Sequence, residues 1–141
     1  MSIRIAESRD AAQIAPLIFS SGPLAFEHIF SRRHGPAVIE FLNTEFARSR
    51  TMFSYLHHHV YEVDGEVLGS IGSFDTASHG ATFIGNAKAI FTNYGLRGIF
   101  KGLMFELRLV KAPRKGCLYL CHIAVREDRR GRGIAAKMIN F

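Results

Sequence analysis

Residues 117–141 read CLYLCHIAVREDRRGRGIAAKMINF, and the organisation of the chain follows from them. Leu118 to Val125 is a bulky apolar run with the length of a buried strand. Arg126 to Arg130 form a charged turn, Gly131 and Gly133 flank Arg132, and Ile134-Ala135-Ala136-Lys137-Met138-Ile139 combines good helix formers with apolar residues at helical spacing. A strand, a glycine turn and a helix in this order make a site for an anion. The first N–H groups of a helix lack internal partners and carry partial positive charge, so a phosphate docks there when nothing bulky intervenes. Gly131 and Gly133 remove the bulk and accept the dihedrals that let successive N–H groups converge. Arg129, Arg130 and Arg132 add attraction of the same sign. Glycines at such a turn can also serve packing alone, and arginine clusters can be solvated surface; it is the combination that points to a phosphate.

The segment Arg130-Gly131-Arg132-Gly133-Ile134-Ala135, behind a hydrophobic strand ending in Ala124-Val125, resembles the acetyl-coenzyme A signature of the GCN5-related N-acetyltransferases, (Gln/Arg)-x-x-Gly-x-(Gly/Ala). The resemblance implies an α/β fold with a mixed sheet, of the acyl-CoA N-acyltransferase type. It also implies that the backbone of Arg130, Gly131, Arg132, Gly133, Ile134 and Ala135 holds the coenzyme's pyrophosphate, while Ile123, Ala124 and Val125 bond its pantetheine arm. Acetyl-CoA would be the cosubstrate, and the reaction a direct transfer of its acetyl group to a primary amine. The dinucleotide fingerprint Gly-x-Gly-x-x-Gly does not fit, because Ala136 stands where its third glycine belongs.

A chain of 141 residues suits one domain, and 48% hydrophobic with 21% charged residues is ordinary globular composition. Residues 1–96 carry seven Lys/Arg against nine Asp/Glu, a net −2, whereas residues 97–141 carry eleven against three, a net +8. The basic end surrounds the proposed phosphate turn and suits an anionic ligand; the same asymmetry would suit a nucleic-acid binder. Cys117 and Cys121, four apart on one strand, would stand ~13 Å apart on one face and could not pair. With no N-terminal apolar block and no membrane-length apolar run, the sequence reads as reduced and cytoplasmic.

Upstream, Ile3 to Ala6 alternates as a short strand, and Ser8 or Asp10 can cap a helix carrying Ile14, Leu17 and Ile18. Gly22-Pro23 ends that helix and opens another with Leu24, Phe26, Ile29 and Phe30, closed by Gly35; Pro36 opens a third with Val38, Ile39, Leu42 and Phe46 inward. His59 to Val63 and Glu66 to Phe74 flank Asp64-Gly65, a hairpin signal. Of His57-His58-His59, only His57 and His59 would share a strand face, too few ligands for a metal, and no metal site is expected. Residues 78–111 read as an insertion of two helices, one with Phe83, Ile84, Ala87 and Phe91, the other with Ile99, Phe100, Leu103, Met104 and Leu107, broken near Asn93-Tyr94-Gly95. They are expected to pack on the sheet or cover the acceptor site.

For catalysis, Tyr119, Cys121 and His122 are the candidates on the strand. Strict alternation puts Tyr119, Cys121 and Ile123 on one face, and Leu120, His122 and Ala124 on the other. His122 has the better ordinary pKa for a base, although a hydrogen-bonded core histidine is the commoner identity. Cys121 reads as a small hydrophobe. The competing class is a non-catalytic coenzyme A-binding or basic nucleic-acid-binding module, and the resemblance favours the enzyme. The last helix is still building its apolar face, Ile134, Met138 and Phe141, at the terminus. The expectation is therefore the N-terminal portion of a single domain spanning 1–141, its closing strands absent or supplied by a second copy or a complementing chain.

Overall fold

The computed structural model describes residues 2–30, 37–109 and 113–141. Four strands form one sheet in the order β1 (Ser2–Ile5), β2 (His58–Val63), β3 (Glu66–Phe74) and β4 (Tyr119–Val125), each antiparallel to its neighbour. Three helices, α1 (Ala11–Ser20), α2 (Pro23–Ile29) and α3 (Val38–Phe46), precede β2. A long helical segment, α4 (Thr76–Leu109), joins β3 to β4, and α5 (Ile134–Ile139) follows the glycine turn. The expected closures at Gly35 and Pro36 lie outside the described residues.

The β2–β3 hairpin forms where its sequence puts it. Asp64 and Gly65 both take positive φ, 52° and 83°, which matches the right-handed twist of the flanking strands. One face of the sheet carries α1 and α3 over a core that includes Ile14, Ile18, Phe30, Phe41, Leu42, Phe46, Val60 and Ala124. The opposite face is smaller: Tyr61, Leu68 and Ile71 pack against Ile134 and Met138 of α5. In α3 the inward residues include Phe41 beside Leu42 and Phe46, whereas Ile39, expected inward, is exposed. Phe141, expected to extend the α5 face, is exposed beyond the helix end, with its ring 5.9 Å from that of His59.

The segment read from sequence as an insertion of two helices forms a helical hairpin. Gly95 breaks α4 with φ 65° and ψ −164°, a conformation open essentially to glycine alone. The two arms then run back along each other: His79 Nε2 lies 3.1 Å from Glu106 Oε1, and a Cβ at Gly98 or Gly102 would meet Ile90. Gly85 lies so close to the Arg50 carbonyl that a Cβ there would stand 1.8 Å from its oxygen, and Asn86 Oδ1 accepts from Met52 N–H at 2.8 Å. These contacts fix the first arm against residues 50–52. Lys101 Nζ donates to the His28 carbonyl at 2.9 Å and ties the second arm to α2.

β4 is the edge strand of the described sheet, so Leu118 and Tyr119, read from sequence as part of a buried strand, are partly open to solvent. Cys117 lies before β4 rather than on it. It follows the turn at Gly116, is exposed, and like Cys121 carries a free thiol.

Candidate active site

Strand β4 does not alternate strictly. Ser70 of β3 faces Ala124 and Gly72 faces Cys121, so Ile71 alone opposes the two residues His122 and Ile123. This is a β-bulge, with His122 in the left-handed region at φ 49°. The extra residue shifts the side-chain register. Ala124 joins the core under α1, Ile123 and Val125 pack toward α5, and Tyr119, Cys121 and His122 all line one cleft. The face assignment drawn from alternation is therefore corrected: His122 lies with Cys121, and Ile123 on the far side. A histidine at positive φ is uncommon, and such conformations persist where the surroundings impose them, often at functional sites.

The surroundings of His122 are a hydrogen-bonded chain. His58, fully buried on β2, has Nδ1 2.8 Å from the Ser54 carbonyl, and its Nε2 is 3.2 Å from His122 Nδ1. A carbonyl oxygen only accepts, so His58 Nδ1 carries the proton and donates it. Burial, with His57 and His59 nearby, holds the His58 imidazole down to about 4, so it is neutral and its Nε2 is an acceptor. His122 Nδ1–H then donates to it, leaving Nε2 as the unprotonated nitrogen of a ring that lines the cleft. Burial and the neighbouring His58 lower His122 to about 3. The two imidazole planes lie within 3° of parallel with centroids 5.4 Å apart, so the rings meet edge to edge through their hydrogen bond, and Phe53 stacks on His122 at 5.6 Å. Gly72 makes the room: a Cβ there would lie 3.0 Å from His58 Nε2 and 3.1 Å from Cys121 Sγ.

Cys121 Sγ sits 3.6 Å from His122 Nδ1, but that nitrogen's proton is directed to His58, so the thiol has no base there. Burial pushes Cys121 up to about 12, which keeps it a thiol at neutral pH and removes it as a nucleophile. Tyr119 lines the same cleft and is 38% exposed. Sequence reasoning missed His58, having weighed only its neighbours for a shared strand face. Gly72, directly across β2 from His58, was the one available hint. Among the described residues no group of three or more His, Cys, Asp or Glu is placed to hold a metal.

The cleft has a volume of about 590 Å³ and lies between α2, both arms of α4 and β4. At its other end β4 enters the glycine turn. Gly131 and Gly133 take φ 76° and 72°, and nothing lies within 4 Å of a Cβ position at either, so the turn is open on that side. Arg130 Nε bonds the Val125 carbonyl at 3.1 Å and closes the turn on the strand that leads into it. Arg126 is tied to Glu66 at 3.0 Å and Asp128 at 2.7 Å, so its charge is spent on structure. Arg129, Arg132 and Lys137 border a second recess of about 520 Å³ beside the hairpin, together with Asp64 and Glu66. The sequence-predicted coenzyme residues thus fall into a contiguous run, with Ile123, Ala124 and Val125 at the strand end and Arg130 to Ala135 around the turn.

A model of the acetyltransferase (GNAT) family matches residues 24–141. The chain belongs to that family. No functionally curated protein matches it in sequence. Two solved structures share its fold. One, described as the crystal structure of an acetyltransferase, superposes with a TM-score of 0.76 at 24% identity, over 99% of this chain and 71% of that one. The other, an N-acetyltransferase from Staphylococcus aureus Mu50, gives 0.67 at 24% identity, over 99% and 73%. Family membership makes this GNAT chain an acyl-transferring enzyme. β3 and β4 remain neighbours in the sheet although the α4 hairpin separates them in sequence.

Proposed function

We propose that this GNAT protein transfers an acetyl group from acetyl-CoA to a primary amine, with His122 taking the amine's proton. One observation carries the reading. A single strand, β4, runs into the open glycine turn at one end and carries His122, whose Nδ1 is engaged with His58, on the wall of a cleft at its middle. The pyrophosphate would lie against the backbone of Arg130 to Ala135. The pantetheine arm would follow the outer edge of β4, along which no other strand pairs among the described residues.

The amine attacks as the free base. Its lone pair forms the new C–N bond as the carbonyl π bond breaks, and a backbone N–H at the β4 edge would face the developing oxyanion. A base held to about 3 cannot deprotonate an alkylammonium in water. It accepts the N–H proton of the tetrahedral adduct, which is more acidic than that of an alkylammonium because the nitrogen is now bonded to a carbon bearing oxygen and sulfur. His122 Nε2 then holds the proton while its Nδ1–H stays bonded to His58. Collapse of the adduct breaks the C–S bond, and the thiolate leaves to be protonated. Tyr119, which lines the same cleft, would be the donor.

The test is calorimetry with acetyl-CoA on the native protein and on Gly133→Asp, which puts a carboxylate and an L-residue at φ 72° in the turn. Native binding with none in the variant is expected. Equal affinity in both would remove the turn from the coenzyme site. Salt-sensitive RNA binding without coenzyme affinity would favour the nucleic-acid module instead.

A further inference from the structure

We propose that the acceptor is an apolar amine, a single amino group on an alkyl or arylalkyl body, seated between α2 and the α4 hairpin; this rests on the acetyl-transfer reading of the same cleft. The walls decide the class. Apolar side chains supply most of the lining, Phe26, Phe30, Phe53, Ile90, Leu103 and Phe105 among them, and the polar groups among the described lining residues are largely committed within the protein. Glu106 is the one carboxylate, and it already faces His79 Nε2 at 3.1 Å; Asn86 Oδ1 already accepts from Met52 N–H. A polyamine, an aminoglycoside or a lysine side chain flanked by polar backbone would have to shed water from several charged or polar groups, and among the described lining residues a single carboxylate, already engaged through one oxygen, is too little to replace it. An alkyl or aryl body gains from the same burial, and a volume of about 590 Å³ is ample for a compound of that kind.

The chemistry at His122 selects in the same direction. An apolar cleft disfavours the ammonium form and so binds the amine with its lone pair free, which is the form a weak base such as His122 requires. Selectivity and mechanism thus have one physical cause. The α4 hairpin provides much of the wall, so the insertion is the specificity element.

The experiment compares 2-phenylethylamine and n-hexylamine with spermidine, Nα-acetyl-lysinamide and kanamycin, following thiol release from acetyl-CoA and, separately, binding of each amine by calorimetry. The apolar amines are expected to give kcat/KM at least tenfold higher. Leu103→Gln, at a partly exposed wall position of α4 that tolerates a polar side chain, is expected to raise their KM about tenfold, with thermal melting confirming that the variant is folded. Equal or better turnover of the polar amines, or no binding of either apolar amine, overturns the inference. Failure of acetyl-CoA to bind would instead overturn the acetyl-transfer reading, and the amine-binding measurement would still judge the cleft.

Discussion

At the scale of single residues, the proton inventory of His58 and His122 makes the clearest predictions. His122→Gln keeps the shape of the site but removes the proton acceptor, and kcat is expected to fall roughly 10²–10⁴-fold, with acetyl-CoA affinity retained by calorimetry. His58 is fully buried and bonds His122, so in the proposed mechanism it is a positioning residue that holds His122 in one tautomer. His58→Asn can still donate to the Ser54 carbonyl but offers nothing at the Nε2 position. It is expected to lower kcat about 10–100-fold with little change in KM, as loss of a supporting hydrogen bond does elsewhere. His58→Gln, whose side-chain oxygen reaches near that position, should recover part of the loss. If Asn and Gln behave alike, His58 serves packing alone. In the turn, Arg130→Ala removes a bond to the Val125 carbonyl rather than a bond to the ligand. Its acetyl-CoA affinity is expected to fall by less than that of Gly133→Asp, and equal damage at physiological salt would reverse this ranking.

At the scale of elements, α4 is held by the close approach of Gly85 to the Arg50 carbonyl and by the Asn86 to Met52 bond. Gly85→Ala forces the first arm away from residues 50–52. The expected cost is roughly 1–3 kcal/mol in chemical denaturation, the range for an added methyl in a packed contact. Because α4 walls the acceptor cleft and not the glycine turn, the KM for amine should rise while that for acetyl-CoA stays constant. A rise in both would mean that α4 also supports the coenzyme site.

At the scale of the whole molecule, burying neutral histidines links stability to pH. His58 and His122 are held to about 4 and about 3, and His57 is also lowered by burial, against an ordinary 6.5. In the window between those values and 6.5 the unfolded chain binds protons that the native protein refuses. Stability therefore rises with pH there and falls on acidification, by up to about 1.4 kcal/mol per pH unit for each histidine. Asp10 contributes at lower pH. Its carboxyl is held below the usual range by Arg4, which bonds it at 2.7 Å and also pairs with Glu62, so that stabilisation is lost only as pH falls through the depressed value. Urea midpoints at pH 7.5, 6.0 and 5.0 should decline steadily, and less steeply in His58→Asn. A flat profile would contradict the buried, neutral histidines.

Local signals were enough for much of this protein. The Asp64-Gly65 hairpin, the helix breaks at Gly22-Pro23 and Gly95, and the strand, glycine turn and helix of residues 119–139 are each set by a few neighbouring residues whose dihedral preferences allow little else. For the same reason the proposed coenzyme side of the site lies within one short stretch of sequence. The acceptor side does not: it is made of residues far apart in sequence. The pairing of His58 with His122 depends on strand register across β2, β3 and β4, and a period-two reading of β4 fails at a bulge that nothing in Cys121-His122-Ile123 announces. Whether residues 76–109 lie on the sheet or wall a cleft was equally open from their helical stripe, since periodicity gives a face but not what the face meets. The sequence determined the elements and the phosphate turn, where interactions are local. The pairing of His122 with His58, its proton state and the apolar cleft were decided only by tertiary structure, because burial and long-range hydrogen bonds are properties of the packed chain.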